Sequence, residues 1–182
     1  MIKKESIKII QKDGPVLRKT ASIVEPSEIT SSKIQKIITD MKTALTEQDD
    51  GVAIAAPQIN IPLRIFVVSK KADLIMKGIE NLSEEEMNKL NDPVYINPEI
   101  KKIAKTKVTL DEGCLSVRYL YGKVKRAEKI TISAYDEKGK KFTKGASGLL
   151  AQIFQHEIDH LNGILFTDKA DDIVEVLPQN DK

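Results

Sequence analysis

The chain has very little cysteine, histidine and tryptophan. Among its 182 residues one is Cys, two are His and none is Trp. A single cysteine excludes an internal disulfide framework. The absence of Trp argues against an aromatic cage and against a membrane-interface belt. A site that uses Cys or His must therefore be built from Cys114, His156 and His160.

A surplus of one charge sign and long apolar runs are also missing. Twenty-nine Lys and Arg against 27 Asp and Glu give a net charge of +2, which argues against nucleic-acid and membrane-surface partners. No apolar run approaches the ~18 residues that span a bilayer. Residues 1–5 are charged and lack the apolar core of a signal peptide. These observations predict a cytoplasmic protein with no membrane or nucleic-acid partner.

The length and the order of the predicted elements indicate one α+β domain. At roughly 150 residues per domain, we expect a single domain over residues 1–182, with a short acidic tail from about 168 to 182. Residues 70–92 are polar and predict a surface excursion, helical around Ser83–Leu90. Several strands that precede one late helix are typical of α+β folds rather than of a parallel βαβ sheet. The predicted helices are Ser32–Gln48 and Gly145–Asn162, and the predicted strands include Arg64–Ser69, Val94–Pro98 and a hairpin over Lys123–Phe142.

The only two histidines stand four residues apart on the late helix. Residues 156–160 read His-Glu-Ile-Asp-His, so His156 and His160 share one helix face and can reach a single metal ion. Glu157 lies beside this face, where a carboxylate can act as general base. Leu149 and Ile153 fall on the same arc in the preceding turns, which predicts an apolar pocket beside the metal.

Two histidines do not complete a metal site, because zinc-like geometry needs a third protein ligand and one open position. A third histidine at the spacing of some metallopeptidases is excluded, since Phe166 occupies that position. Glu175 is a second candidate, although the segment around it has weak helical periodicity. Cys114 is the other candidate, a thiolate that follows Gly113 at a strand end. A lone cysteine is more often a small buried hydrophobic residue, so spacing alone leaves both candidates open.

Three motifs together resemble those of the peptide deformylase family. They are Gly51–Gln58 (GVAIAAPQ), Glu112–Ser116 (EGCLS) and Gln155–His160 (QHEIDH), in this order along the chain. Val16–Lys19 and Arg126 extend the similarity, which covers most of residues 5–167. The resemblance implies small antiparallel or mixed sheets packed around a central helix that carries the His-Glu-x-x-His motif. It also implies a hydrolase that removes the formyl group from the N-terminal methionine of newly made polypeptides and releases formate.

The resemblance implies that Cys114, His156 and His160 bind one divalent metal. The family usually holds iron(II), and zinc, nickel and cobalt can occupy the same ligands. Metal-bound water then attacks the formyl carbonyl, with Glu157 as general base and afterwards as acid toward the leaving amine. By the same resemblance, the Gln58 side-chain amide and the Leu115 backbone N–H donate to the developing oxyanion.

The resemblance also implies where the N-formylmethionyl nascent peptide binds. The peptide lies extended beside the segments around Gly51 and Gly113. We expect Arg126 to pair with Glu112 and to hold the loop that carries Cys114. The methionine side chain enters an apolar pocket formed by Val52, Leu149, Ile153 and the ring of His156.

The sequence departs from the family pattern at four places. Ala53 stands where a second glycine is usual, and Arg118 stands where proline is common. Residues 70–92 resemble an insertion near the mouth of the site. The acidic tail replaces the basic C-terminal helix through which many bacterial relatives dock on the ribosome. A transient ribosome contact by that route is therefore doubtful.

Three other functions are compatible with the residues. A metallopeptidase with the His-Glu-x-x-His motif would cleave internal peptide bonds and would not need Cys114. A closed structural metal site would need a fourth protein ligand, which only Asp or Glu could supply here. A deformylase-like protein with altered or lost activity is the third alternative, because of Ala53.

Overall fold

The structure is a computed structural model that describes residues 6–79 and 82–177. The predicted charged start and the end of the predicted acidic tail, residues 1–5 and 178–182, lie outside these ranges. No helix of the described ranges is long and apolar enough to cross a membrane. The α-helices are α1 (Ser32–Thr46), α2 (Lys70–Lys77), α3 (Glu84–Lys89) and α4 (Gly148–Leu161). The strands are β1 (Ala53–Ala55), β2 (Ile65–Val68), β3 (Val94–Ile103), β4 (Lys107–Cys114), β5 (Val117–Ala127), β6 (Lys129–Tyr135), β7 (Lys141–Ser147) and β8 (Asp171–Glu175).

The strands form two antiparallel sheets. The larger sheet has the order β1-β2-β3-β6-β7, and the smaller has the order β4-β5-β8. Every pairing between neighbouring strands is antiparallel. The helix α4 contacts β1, β2, β6 and β7 of the larger sheet and β5 of the smaller one. The predicted α+β fold, with sheets packed around a central helix, is therefore confirmed.

The strand β2 shows how the larger sheet is covered on both faces. All four of its residues are buried. Because side chains alternate along a strand, Ile65 and Val67 pack in the cluster that contains α1, whereas Phe66 and Val68 pack in the cluster that contains α4. Burial of such side chains contributes roughly 1.5–3 kcal/mol each. The sheet thus fixes α4 from one side while α1 covers the other.

The helix α4 begins three residues later than predicted and ends at Leu161, one residue before the predicted end at Asn162. Residues 145–147 belong to β7, so the predicted start at Gly145 is wrong, and the helix begins at Gly148. At its C-terminus the Gly163 N–H donates to the His160 carbonyl, and the Ile164 N–H donates to the Asp159 carbonyl. Gly163 has a φ of +75°. A left-handed glycine cap therefore ends the helix just after the second histidine.

The surface excursion at residues 70–92 contains two helices, α2 and α3, rather than one. The side chain of Ser83 caps α3 by accepting a hydrogen bond from the Glu86 N–H at 3.2 Å. The Lys71 Nζ donates to the carbonyls of Gln48 and Asp49, both at 3.3 Å. The two Lys71 hydrogen bonds place α2 against the loop that precedes β1. This loop forms one wall of the pocket described below.

The segment predicted as an acidic tail contributes a strand to the smaller sheet. Strand β8 pairs with β5, with Leu120 opposite Glu175 and Tyr121 opposite Val174. All five residues of β8 are exposed. An exposed edge strand has no buried face and hence no alternating apolar pattern, so the sequence did not reveal it.

Candidate metal centre and active-site pocket

Two elements bring three metal-ligating side chains together. Cys114 ends β4, and α4 carries His156 and His160. One ligand atom from each residue lies within 4.8 Å of the other two. The Cys114 Sγ is 3.1 Å from the Nε2 of His160. A thiolate and two imidazoles form the three-donor set that leaves a coordination position open. Of the two candidates for the third ligand, Cys114 joins the histidines and Glu175 lies in β8 with an exposed side chain.

The orientation of His156 is fixed by a buried carboxylate. Its Nδ1 lies 3.0 Å from the Oε2 of Glu112. A ring nitrogen that donates to a carboxylate leaves the other nitrogen as a free lone-pair donor for a metal. Glu112 thus selects the tautomer in which the Nε2 of His156 faces the thiolate side.

Glu112 belongs to a buried ion-pair network. Arg126 Nε and Nη2 donate to its two oxygens at 2.7 and 2.9 Å, and Arg126 Nη1 donates to Asp159 at 2.6 Å. Lys169 Nζ donates to Asp159 from the other side at 2.7 and 2.8 Å. Burial alone would raise the pKa of Glu112, but Arg126 and His156 lower this pKa to about 2. The predicted contact between Arg126 and Glu112 is present, and it ties β5 to β4 directly before Cys114.

The sulfur of Cys114 is surrounded by hydrogen-bond donors. The backbone N–H of Ser116 lies 3.4 Å from Sγ, and the Nε2 of Gln58 lies 3.6 Å from it. Burial alone would raise the pKa of the Cys114 thiol, but the adjacent His160 and His156 lower this pKa well below that of an ordinary thiol. The thiolate is the form that ligates metals.

Gln58 is held in one orientation at the edge of the site. Its Oε1 accepts a hydrogen bond from the Ala55 N–H at 2.8 Å, and its Nε2 donates to the Ser116 hydroxyl at 3.1 Å. The side chain is almost fully buried. Among the hydrogen bonds of the described residues, none uses the backbone N–H of Leu115 as donor. Two amide donors, one from a side chain and one from the backbone, therefore lie beside Cys114.

Two polar atoms next to the donors are buried without a hydrogen-bond partner in the described ranges. They are Oε2 of Glu157 and Nδ1 of His160. Burial, the largest contribution, raises the pKa of Glu157 to about 7. Leaving a carboxylate oxygen buried and unpaired costs free energy unless a ligand pairs with it. A divalent cation and its water fit this demand, since the three donors and the unpaired carboxylate lie side by side.

One pocket contains almost all of the predicted site residues. His160 lies behind its wall, and the others line it: Gly51, Val52, Gln58, Gly113, Cys114, Leu115, Leu149, Ile153, His156 and Glu157. Ala53 lines it as well. The loop before β1 forms one wall, β4 and the start of β5 form the other, and α4 forms the floor. An extended chain between two such walls can pair with the backbone of a flanking strand.

Gly113 leaves room for the ring of Tyr121 on the β4 wall. A Cβ at this position would lie 2.8 Å from the ring carbon Cε1 of Tyr121. Any other residue would therefore move the ring, which itself lines the pocket. The glycine keeps this wall flat directly before Cys114.

Comparison with known proteins decides the family. The sequence model of the family described as polypeptide deformylase matches residues 6–175. The chain belongs to this family. Peptide deformylase 2 of Clostridium acetobutylicum is 39% identical over 157 residues, which are 86% of this chain and 89% of that protein. The chloroplastic/mitochondrial Peptide deformylase 1A of Arabidopsis thaliana is 40% identical over 162 residues, which are 88% of this chain. The match spans 60% of that longer protein, less than two thirds of its length.

Solved structures of this family share the fold. The crystal structure of a peptide deformylase from Synechococcus elongatus in complex with actinonin has a TM-score of 0.79 and 32% identity. The similarity covers 94% of this chain and 84% of that chain. The predicted resemblance to peptide deformylases is therefore confirmed, and the family depends on a metal that the Cys-His-His cluster can hold.

Several residues that line the pocket or support its walls were not among the predicted site residues. Ser116 contacts both the cysteine sulfur and Gln58, and it lies two residues after Cys114 within the same motif. Asp159 receives Arg126 and Lys169, and it lies between the two histidines. Tyr119 and Tyr121 line the pocket without any sequence signal, because only the fold of β5 brings them there.

Proposed function

We propose that the protein removes the formyl group from the N-terminal methionine of newly made polypeptides and releases formate. The observation that carries this proposal is the Cys-His-His donor set beside the unpaired Glu157 oxygen on the pocket floor. Membership in the family supports the same reaction. In this hydrolysis the C–N bond of the formyl amide breaks and a C–O bond to the water oxygen forms. A proton from the water goes to the amine that is released.

Cys114, His156 and His160 would hold one divalent metal. Such an ion, when bound, lowers the pKa of a coordinated water toward neutrality and polarises a carbonyl oxygen. We propose iron(II), the metal usual in the family, with zinc, nickel and cobalt as the alternatives that the same donors accept. Metal analysis of protein purified without oxygen decides among them.

Glu157 would move the proton in this reaction. Its buried carboxylate has one oxygen free of protein partners and adjoins the donor cluster. A carboxylate there accepts a proton from the attacking water and later passes it to the leaving amine. Glu157 has no cationic ion-pair partner within the described ranges. Its carboxylate is therefore available to accept a proton from water.

Gln58 and Leu115 would stabilise the negative charge that develops on the formyl oxygen. The side-chain amide of Gln58 is fixed by two hydrogen bonds, one accepted by Oε1 and one donated by Nε2, and the Leu115 N–H is free of partners among the described residues. Donors that are positioned before the reaction need no reorganisation, and removing one such donor costs about 2.7–4 kcal/mol of transition-state stabilisation.

The substrate would lie extended between Gly51 on one wall and Gly113 on the other. Its methionine side chain would enter the apolar part of the pocket, against Val52, Leu149, Ile153 and the ring of His156. An unbranched thioether adapts well to such a pocket. Ala53 narrows the pocket by one methyl group relative to the usual glycine. This difference supports the alternative of a deformylase-like protein with an altered preference for the substrate's side chain.

The proposal is tested by identifying the product. Metal-loaded protein is incubated with a formyl-Met-Ala-Ser peptide extended by several residues, and the products are analysed by mass spectrometry. We expect a single product that lacks only the formyl group, and we expect Cys114→Ser to abolish its formation. Internal cleavage that survives Cys114→Ser would instead identify a metallopeptidase. A metal-loaded, folded protein that leaves the peptide intact would support the altered or silent site.

Two further expectations concern location and partners. A cytoplasmic reaction stays a prediction. A transient contact with the ribosome through a basic C-terminal helix stays doubtful, because the strand β8 follows α4 within the described residues. Cosedimentation of the protein with ribosomes at low salt tests the contact, and the absence of cosedimentation would exclude a stable one.

A further inference from the structure

An ion pair joins the two walls of the pocket at its mouth. Arg118 Nη1 lies 3.1 and 2.8 Å from the two carboxylate oxygens of Asp50. Arg118 Nη2 donates to the Oε1 of Gln48 at 2.6 Å. Asp50 precedes β1, and Arg118 is the second residue of β5. The pair therefore connects the wall that carries Gly51 with the wall that follows Cys114.

Both charges of this pair face the route of the peptide. Asp50 and Arg118 line the same pocket as the metal-ligating residues, and their side chains are 59% and 30% exposed. Arg118 is the one Lys or Arg among the lining residues of the described ranges. Three other acidic residues line the pocket: Glu112 is already neutralised by Arg126, whereas Asp111 and Glu157 have no ion-pair partner within the described ranges. Asp50 and Arg118 cancel each other's charge at the mouth, and the charges of Asp111 and Glu157 are the same whether or not this pair is intact.

The length of an extended chain sets which residues pass the pair. A strand advances about 3.3 Å per residue. When the methionine side chain fills the pocket, the residues that follow it leave past the walls that Asp50 and Arg118 connect, and the first two of them are the nearest to the pair. These two residues differ among newly made proteins, so charge at the exit affects which of them are processed.

We propose that Asp50 and Arg118 form a specificity-determining pair whose two charges cancel at the exit of the pocket, where the two residues after formylmethionine pass. The inference rests on the proposed deformylase function. With both partners present, the pair itself favours neither acidic nor basic residues at these positions. Loss of Asp50 leaves an unpaired cation that favours acidic residues, and loss of Arg118 leaves an unpaired anion that favours basic residues.

The test compares two single variants with opposite expectations. The isosteric variant Asp50→Asn and the shorter, neutral variant Arg118→Gln each remove one charge, and the double variant removes both. The substrates are formyl-Met-Xaa-Ser and formyl-Met-Ala-Xaa peptides with Xaa as Glu, Gln or Lys, and a C-terminal amide removes the peptide's own carboxylate. Formate release gives kcat/KM for each peptide. The readout is the Glu-to-Lys ratio of kcat/KM, with the Gln peptide as reference.

At low salt we expect the Glu-to-Lys ratio to rise about three- to tenfold in Asp50→Asn and to fall by a similar factor in Arg118→Gln. The double variant should return to the wild-type ratio. Both shifts should shrink at high salt, since the screening length falls from about 10 Å at 0.1 M to about 3 Å at 1 M. The matched controls Glu99→Gln and Arg18→Gln remove surface charges from ion pairs that lie outside the pocket. They should leave the ratio as it is.

Two results would overturn the inference. One is a Glu-to-Lys ratio that stays within twofold of wild type in both single variants. The other is an equal loss of activity on all peptides, which would identify the pair as a structural brace only. If Arg118→Gln fails to fold, Asp50→Asn alone decides, because Asp50 lies in an exposed loop. A wild-type protein that releases no formate from any peptide would contradict the proposed function instead, so the two failures are distinguishable.

Discussion

Replacing Arg126 with Ala should both destabilise the protein and weaken its metal site. The Arg126 side chain is only 4% exposed, and it pairs with Glu112, 2% exposed, and Asp159, 12% exposed. Removing one partner of a buried pair leaves the other charge unpaired and costs about 3–5 kcal/mol. We expect a loss of this size in the free energy of unfolding, a large share of the roughly 5–15 kcal/mol of a typical domain.

The metal site should weaken because Glu112 orients His156. Loss of a group that orients a ligand typically lowers metal affinity about 10–100-fold. Urea unfolding of the metal-free protein measures the stability, and competition with a chelating dye measures the affinity. The matched control is Arg18→Ala, which breaks an exposed pair with Asp168 and should cost about 0–1 kcal/mol. A loss in Arg126→Ala no larger than in this control, with unchanged metal affinity, would refute the reasoning.

Three further predictions concern the helix cap, the cysteine loop and the metal. Gly163→Ala should destabilise the protein more than Gly78→Ala. Both glycines have positive φ, but only at Gly163 would a Cβ meet backbone, 2.8 Å from the Arg18 carbonyl carbon. Thermal unfolding of both variants checks this, and equal decreases in their unfolding temperatures would contradict it. Ser116→Ala removes the hydroxyl that accepts from Gln58 and should lower kcat about tenfold while metal content stays at the wild-type level; an unchanged kcat would exclude this positioning role. Removing the metal with a chelator should lower the unfolding temperature, because a metal present at 100 times its dissociation constant stabilises the folded state by about 2.7 kcal/mol. Calorimetry with and without added metal measures the change in unfolding temperature, and an unchanged temperature would argue against a bound ion.

The elements that the sequence predicted well are those with a local signal. The helix α4 follows from apolar spacing and a terminal glycine, and the pair His156 and His160 follows from the helical repeat alone. The buried strand β2 appears as a continuous apolar run. Each of these depends on residues that are close in sequence, so no tertiary information is required.

The parts that the sequence missed depend on contacts between distant segments. Spacing alone did not exclude Glu175 as the third ligand, although its segment had weak helical periodicity, and only the fold of β4 against α4 brings the thiolate of Cys114 to the histidines. Strand β8 has no buried face, so it lacked a pattern. Asp50 and Arg118 are separated by 68 residues, and their contact follows from the packing of two walls that no periodicity describes.

The most direct test of the account is formate release from formyl-Met-Ala-Ser-amide at matched metal content. Wild type and Glu157→Ala are loaded with iron(II) without oxygen, and bound metal is quantified in both before the assay. The account predicts steady formate release by wild type and a loss of several orders of magnitude in Glu157→Ala with equal metal bound. Equal rates in the two proteins, or no formate from metal-loaded folded wild type, would contradict it.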